Sequence, residues 1–261
     1  MGLAEEALLV WRPLIYKEGS RAQSRKDIHF HHTAECYANT GGQKSKATPI
    51  GAVAKFATKG HEVEKKNLAE MAMDYGTVYV ASVSMGANYD QTLKAFSEAE
   101  DYDGCSVIVA YSPCIEHKNL DAMTHTMQHQ ATVAASGYFP IYRYNPMLKR
   151  MGKNPFVLDT KKLTMGVDAV LDNEMRFGAL KKRDADLYKK YRSELDAWVR
   201  ERYSKYQRWA ALGHEDISNG VPLTLLYGTE TGTTEALAYR VAELARQRGY
   251  AVRSWSAMRW T

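Results

Sequence analysis

The sequence predicts an α/β protein built on a parallel sheet, and three observations predict it. Thr77-Val78-Tyr79-Val80-Ala81-Ser82-Val83 and Ser106-Val107-Ile108-Val109-Ala110-Tyr111 are continuous, largely apolar runs rich in β-branched residues, and strands without polar alternation are buried on both faces. Each run follows a segment with apolar residues at helical spacing, the alternation that gives parallel sheets covered on both sides. Each is followed by a loop containing Gly, Pro or Asn, which places ligand chemistry at the carboxyl ends of the strands.

The composition is globular, with 45% hydrophobic and 25% charged residues, and 261 residues suffice for one large core, or a medium domain and part of another. The formal charge of +5 spreads 35 Lys and Arg among 30 acids without a long basic run, so no nucleic-acid partner is expected. No apolar run reaches the ~20 residues of a membrane helix. The residues before Arg12 are too acidic for a signal peptide, and an intracellular protein, cytoplasmic or mitochondrial, is expected. Cys36, Cys105 and Cys114 form no CxxC pair and predict no disulfide framework.

Residues 1–30 are a divergent segment, apolar over Ala7–Trp11 and then basic, that matches no motif. Ile28 to Glu35 takes a strand position, with His29 and His31 on one face. The histidines are read as a solvated segment or a metal site, with no acidic or cysteine partner at ligand spacing. Next comes Cys36 to Thr48, centred on Asn39-Thr40-Gly41-Gly42. Paired glycines permit positive φ and close approach, so the turn either cradles a phosphate with backbone N–H groups or is an ordinary surface turn.

Pro49 to Phe56 reads as a segment entering a helix, and Val63, Leu68, Met71 and Met73 predict a helix over Glu62–Tyr75. After the first apolar run, Met85-Gly86-Ala87-Asn88 turns into a helix over about Asp90–Ala99 with Leu93, Phe96 and Ala99 inward. Asn39, Asn88 and Cys114 then all fall at carboxyl ends of strands. Cys114 follows a strand and Pro113, and is read as an inert thiol or as one that reaches a shared crevice. Met123, Met127 and His129, in a helix over 121–138, read as packing and surface residues, and Tyr138 to Pro146 as aromatic and turn-rich. Met165 to Ala211 is largely helical, with Leu195, Trp198, Val199, Tyr203 and Trp209 as its apolar positions. Residues 212–220 form a linker. Pro222–Tyr227 is a strand, Gly228–Thr234 a loop and Glu235–Arg248 a helix, whose start is an anion site lacking the ending of a nucleoside-triphosphate loop.

The ordered wording Tyr37-Ala38-Asn39-Thr40-Gly41-Gly42-Gln43, Ser45-Lys46-Ala47-Thr48-Pro49, Met85-Gly86-Ala87-Asn88, Tyr111-Ser112-Pro113-Cys114 and Gly152-Lys153-Asn154-Pro155-Phe156 resembles the pyruvate:ferredoxin (flavodoxin) oxidoreductase family, from about Glu35 to Ala210. The resemblance implies that 31–211 is the C-terminal part of a thiamine diphosphate-binding domain. Asn39 would contact the cofactor and act in catalysis, with Thr40, Gly41 and Gly42 in the cofactor loop. Cys114 would ligate a [4Fe–4S] cluster, and the carbonyl of Cys36 would ligate Mg²⁺. The family's Gly-Asp-Gly motif is not found here, and Ala34 stands where the family has a Mg²⁺-binding threonine.

Residues 221–261 resemble the start of a flavodoxin-like FMN domain, a truncated βαβ unit in which Thr229, Glu230, Thr231, Gly232, Thr233 and Thr234 would wrap the FMN phosphate. Together the two stretches look like the arrangement of pyruvate:NADP⁺ oxidoreductase. That implies pyruvate and coenzyme A as substrates, and electrons leaving through flavin reductase domains, or through ferredoxin or flavodoxin. It also implies a homodimer at full length. For this chain alone, a piece of such an enzyme, no catalysis is expected. A non-catalytic remnant or interaction domain is the alternative.

Overall fold

The two apolar runs become the centre of a five-stranded sheet in the computed structural model. The structure describes residues 26–117, 123–151, 153–211, 221–228 and 250–257, with helical residues 237–238, 240–242 and 244–245 between the last two stretches. The expected linker at 212–220 and the phosphate loop at 229–234 lie outside the described residues. The chain divides into two compact units, 1–149 with 155–210, and 150–154 with 211–261.

In the first unit the strands are β1 (Ile28–Thr33), β2 (Tyr79–Val83), β3 (Ser106–Tyr111), β4 (Tyr142–Tyr144) and β5 (Phe156–Leu158), in spatial order β1-β3-β2-β4-β5. β1, β3 and β2 are mutually parallel, with His31 opposite Val109 and Ser82 opposite Val109. β4 and β5 add antiparallel, so the sheet is parallel only over its first three strands. The stretch read as turn-rich holds β4, whose Tyr142 packs on Phe156 and Tyr206.

Helices cover both faces, as strands without polar alternation require. On one face α1 (Leu68–Asp74) contributes Ala69, Ala72 and Met73 to the main core. α6 (Met175–Arg183) and α7 (Ala185–Ala211) add Phe177, Leu180, Leu195, Val199 and Tyr206 to that core. On the other face α2 (Tyr89–Asp101) packs Ala95 and Ala99 on Tyr79, Ala81, Val83 and Ile108. The expected inward residues Leu93 and Phe96 point outward, 53% and 37% exposed. Small alanines let α2 approach the sheet closely, and Phe96 instead meets Phe30 of β1, ring centroids 5.5 Å apart.

Two further expectations shift. The helix read over Glu62–Tyr75 begins only at Leu68, because Asn67 caps it by accepting the Glu70 N–H at 3.2 Å. The extended stretch before it frees Lys65 to turn inward. Pro49 to Phe56 forms turns in place of a helix, with Gly51 at φ +80° and its position packed against Tyr191. The first unit also holds α3 (Thr126–Ala135), α4 (Pro146–Arg150) and α5 (Asp168–Leu171). In the second unit β6 (Val221–Gly228) and β7 (Tyr250–Ala257) pair parallel, Val221 opposite Tyr250, as a βαβ crossover requires.

Candidate functional site

Loops at the carboxyl ends of β1 and β3 meet. The Asn39-Thr40-Gly41-Gly42 turn is closed by an antiparallel bridge between Tyr37 and Gln43. Gly41 and Gly42 adopt φ of +97° and +80°, which an L-residue rarely takes. Their N–H groups donate within the turn, to Ala38 O at 3.0 Å and Tyr37 O at 2.9 Å, so these two amides hold the loop and are not free for a ligand. Gln43 Nε2 donates to Thr40 O at 2.7 Å. The tip is open: Asn39 and Thr40 are exposed, and the Asn39 side chain has no hydrogen-bond partner among the described residues.

The loop after β3 lies against this turn. A Cβ on Gly42 would stand 2.4 Å from Glu116 Oε2. Cys114, half-buried, accepts the Glu116 N–H at 3.5 Å on its sulfur. The Cys36 thiol faces the Cys114 sulfur, and burial with that neighbour pushes it up to about 12. Asn88 belongs to the local fold: it caps α2, accepting the Gln91 N–H at 2.9 Å. Among the described residues no group of three His, Cys, Asp or Glu is placed to hold a metal ion, so Cys114 offers one ligand only. His29 and His31 share a strand face as expected, without a metal-ligating partner set.

The foot of the loop is fixed by a buried ionic cluster that sequence reasoning missed. Glu35, two residues past β1 and held at φ +56°, accepts from Lys65 Nζ at 2.5 Å, Tyr138 Oη at 2.6 Å and Arg176 Nη2 at 2.7 Å. Glu174 accepts from Arg176 Nε at 2.6 Å, His129 Nε2 at 2.8 Å and Tyr111 Oη at 3.1 Å. Burial alone would raise both carboxyls, but the cations beside them prevail. Lys65 and Arg176 hold Glu35 far below the usual carboxylate range, and Arg176 with the His129 hydrogen bond holds Glu174 at about 2.

His117 ties the same foot from another side, donating from Nε2 to Ala34 O at 2.6 Å. Burial, then Arg176, lowers its pKa, so it is neutral and its Nδ1 stays unprotonated. His129 donates from Nε2 to Glu174, and the Asn173 side-chain amide lies 3.0 Å from its Nδ1. His129 is thus a packing residue as expected, while Met123 and Met127 are exposed. Two carboxylates and two cations, Lys65 and Arg176, balance the cluster, and buried charge demands such pairing. Its only sequence signals were the Glu-His step after Cys114 and the glutamate next to Cys36.

No family model matches the chain. Among curated proteins it is similar to "Pyruvate dehydrogenase [NADP(+)], mitochondrial" of Euglena gracilis, 45% identical over 223 residues, covering 84% of this chain and 12% of that protein. It is 49% identical over 177 residues to "Pyruvate-flavodoxin oxidoreductase" of Nostoc sp., covering 68% of this chain and 15% of that protein. To "Pyruvate dehydrogenase [NADP(+)]" of Cryptosporidium parvum it is 37% identical over 261 residues, covering 83% of this chain and 13% of that protein. The chain thus spans between 12% and 15% of the length of these relatives.

Proposed function

Since the chain belongs to the pyruvate:ferredoxin (flavodoxin) oxidoreductase family, we propose that it forms part of the thiamine diphosphate site of a pyruvate oxidoreductase that makes acetyl-CoA and CO₂. The observation that carries this reading is the meeting of two loops, one bearing Asn39 at an open tip and the other Cys114, at the carboxyl ends of adjacent parallel strands.

The residues fit such a role. Thiamine diphosphate, when bound, accepts the electrons left by decarboxylation. The side-chain amide of Asn39, without a hydrogen-bond partner among the described residues, binds and orients at the tip, while Gly41 and Gly42 fix the turn behind it. The carbonyl of Cys36 takes no hydrogen bond from a described residue and remains available as an oxygen ligand for Mg²⁺. Cys114 supplies one thiolate to a [4Fe–4S] cluster whose other ligands come from elsewhere in the polypeptide. Glu35 and His117 position the loop from beneath.

For the electron acceptor, the shares aligned support NADP⁺ through flavin. Relatives named for NADP⁺ cover 84% and 83% of the chain and the flavodoxin enzyme 68%. The surplus of 84% less 68% is about 42 of 261 residues, near the 51 residues of 211–261, which contain the parallel β6–β7 pair and the 229–234 loop proposed for FMN phosphate.

The test is Asn39→Ala and Cys114→Ala in the polypeptide that carries this segment. Asn39→Ala should slow decarboxylation in stopped-flow with the fold intact, and Cys114→Ala should remove one cluster's paramagnetic signal. Unchanged rates and an unchanged spectrum would sink the assignment. A module that binds without turnover is the reading favoured by Ala34 at the threonine position. Calorimetry with thiamine diphosphate and Mg²⁺ showing heat, yet no decarboxylation by the polypeptide, would establish it.

A further inference from the structure

On the sheet face opposite α2, between β1, the start of α1 and the second half of α7, lies a cavity of about 120 Å³. Its ionisable lining is one-sided. His31, Lys46, Lys65, Lys66 and Arg202 contribute to it, and no described lining residue carries a carboxylate.

Arg202 is the residue that calls for a ligand. It is 6% exposed, and buried arginines are as a rule paired with an anion. Its guanidinium stacks on Trp198, 4.0 Å from the ring centroid, and Nη2 donates to the carbonyls of Gly137 at 2.9 Å and Tyr138 at 2.7 Å. No carboxylate among the described residues forms an ion pair with it, and Nε is buried with no hydrogen-bond partner. Lys65 faces the same cavity, but Glu35 already neutralises it at 2.5 Å. Lys46 and Lys66 are exposed to solvent, so the buried lining charge without a carboxylate partner among the described residues is that of Arg202.

We propose that this cavity binds a small oxyanion, inorganic phosphate or a short carboxylate, which pairs with the Arg202 guanidinium at the cavity wall. The volume suits the ligand class, since a water molecule occupies about 30 Å³ of liquid and the cavity therefore holds a molecule of a few heavy atoms. A charge-assisted hydrogen bond in a site of low dielectric supplies the affinity.

The experiment titrates the full chain with inorganic phosphate and, separately, with acetate, followed by calorimetry and by melting temperature at constant ionic strength. Saturable binding of either anion is expected, weakened about tenfold or more in Arg202→Met and unchanged in Lys59→Ala, an exposed lysine outside the cavity lining. Binding that survives Arg202→Met would assign it to surface lysines and overturn the proposal. Absence of saturable binding of both anions to the unaltered chain would do the same. Should Arg202→Met fail to fold, bromide-soaked crystals of the unaltered chain decide, with an anomalous peak in the cavity beside the Arg202 guanidinium expected and no peak there refuting the site.

Discussion

Arg176→Met should cost the fold about 3–5 kcal/mol at neutral pH, the range seen when one partner of a buried ion pair is removed. Three donated hydrogen bonds vanish, to Glu174 at 2.6 Å, Glu35 at 2.7 Å and Tyr138 at 3.1 Å. Glu35 keeps Lys65, but Glu174 is left with two histidines and a tyrosine and no permanent cation. A second route to the magnitude comes from proton uptake. The buried Glu174 escapes its isolation by protonating, and from an ordinary pKa of 4.5 that costs about 3.4 kcal/mol at pH 7 and about 0.7 kcal/mol at pH 5. The deficit of the variant must therefore shrink as pH falls, because its folded state takes up a proton that the unaltered folded protein refuses. Urea denaturation at pH 7 and pH 5 measures this. At roughly 2–4 °C per kcal/mol, melting should drop by about 6–20 °C at pH 7. A deficit under about 1 kcal/mol, or one equal at both pH values, would refute the electrostatic account. Adding Glu174→Gln should recover part of the loss, a coupling that distant residues do not show.

Three further outcomes are expected. The unaltered chain should lose stability as pH falls below about 6.5, because the lowered His117 resists a proton that the unfolded chain accepts, and more steeply between about 4.5 and 2 as Glu174 and then Glu35 are titrated; thermal melts from pH 8 to pH 3 that stay flat would contradict the cluster. Gly42→Ala should destabilise by about 1–2 kcal/mol from its left-handed φ alone, and should push Glu116 aside; urea midpoints equal to those of the unaltered chain would show that the turn is not held as described. Cys36, with its thiol near 12, should react with iodoacetamide at pH 8 at least about a hundredfold more slowly than free cysteine, measured by peptide mass spectrometry.

The sheet centre was legible because its strands are read off a local property, an unbroken apolar run, and the long helix α7 because periodicity persists over many turns. Short elements failed for the same reason. β4 and β5 have three residues each, too few for alternation to register, and they are strands because β2 offers an edge. Leu93 and Phe96 misled because apolar character marks burial only when something covers the face, and here the alanines dock. The wording around Asn39 located the loop pair, but the cluster beneath joins residues 141 positions apart, Glu35 and Arg176, and no window along the chain contains both.

That cluster also constrains how the sequence can drift. With two carboxylates answered by two cations and every proton donor assigned, exchanging any one charged member for a neutral residue strands another, so tolerated replacements must arrive in compensating sets. The Asn39 side chain at the tip, without a hydrogen-bond partner among the described residues, carries no such obligation, and selection on it acts through whatever the loop touches. Within one short loop, replacement is therefore limited by the fold at Glu35 and by function four residues later at Asn39.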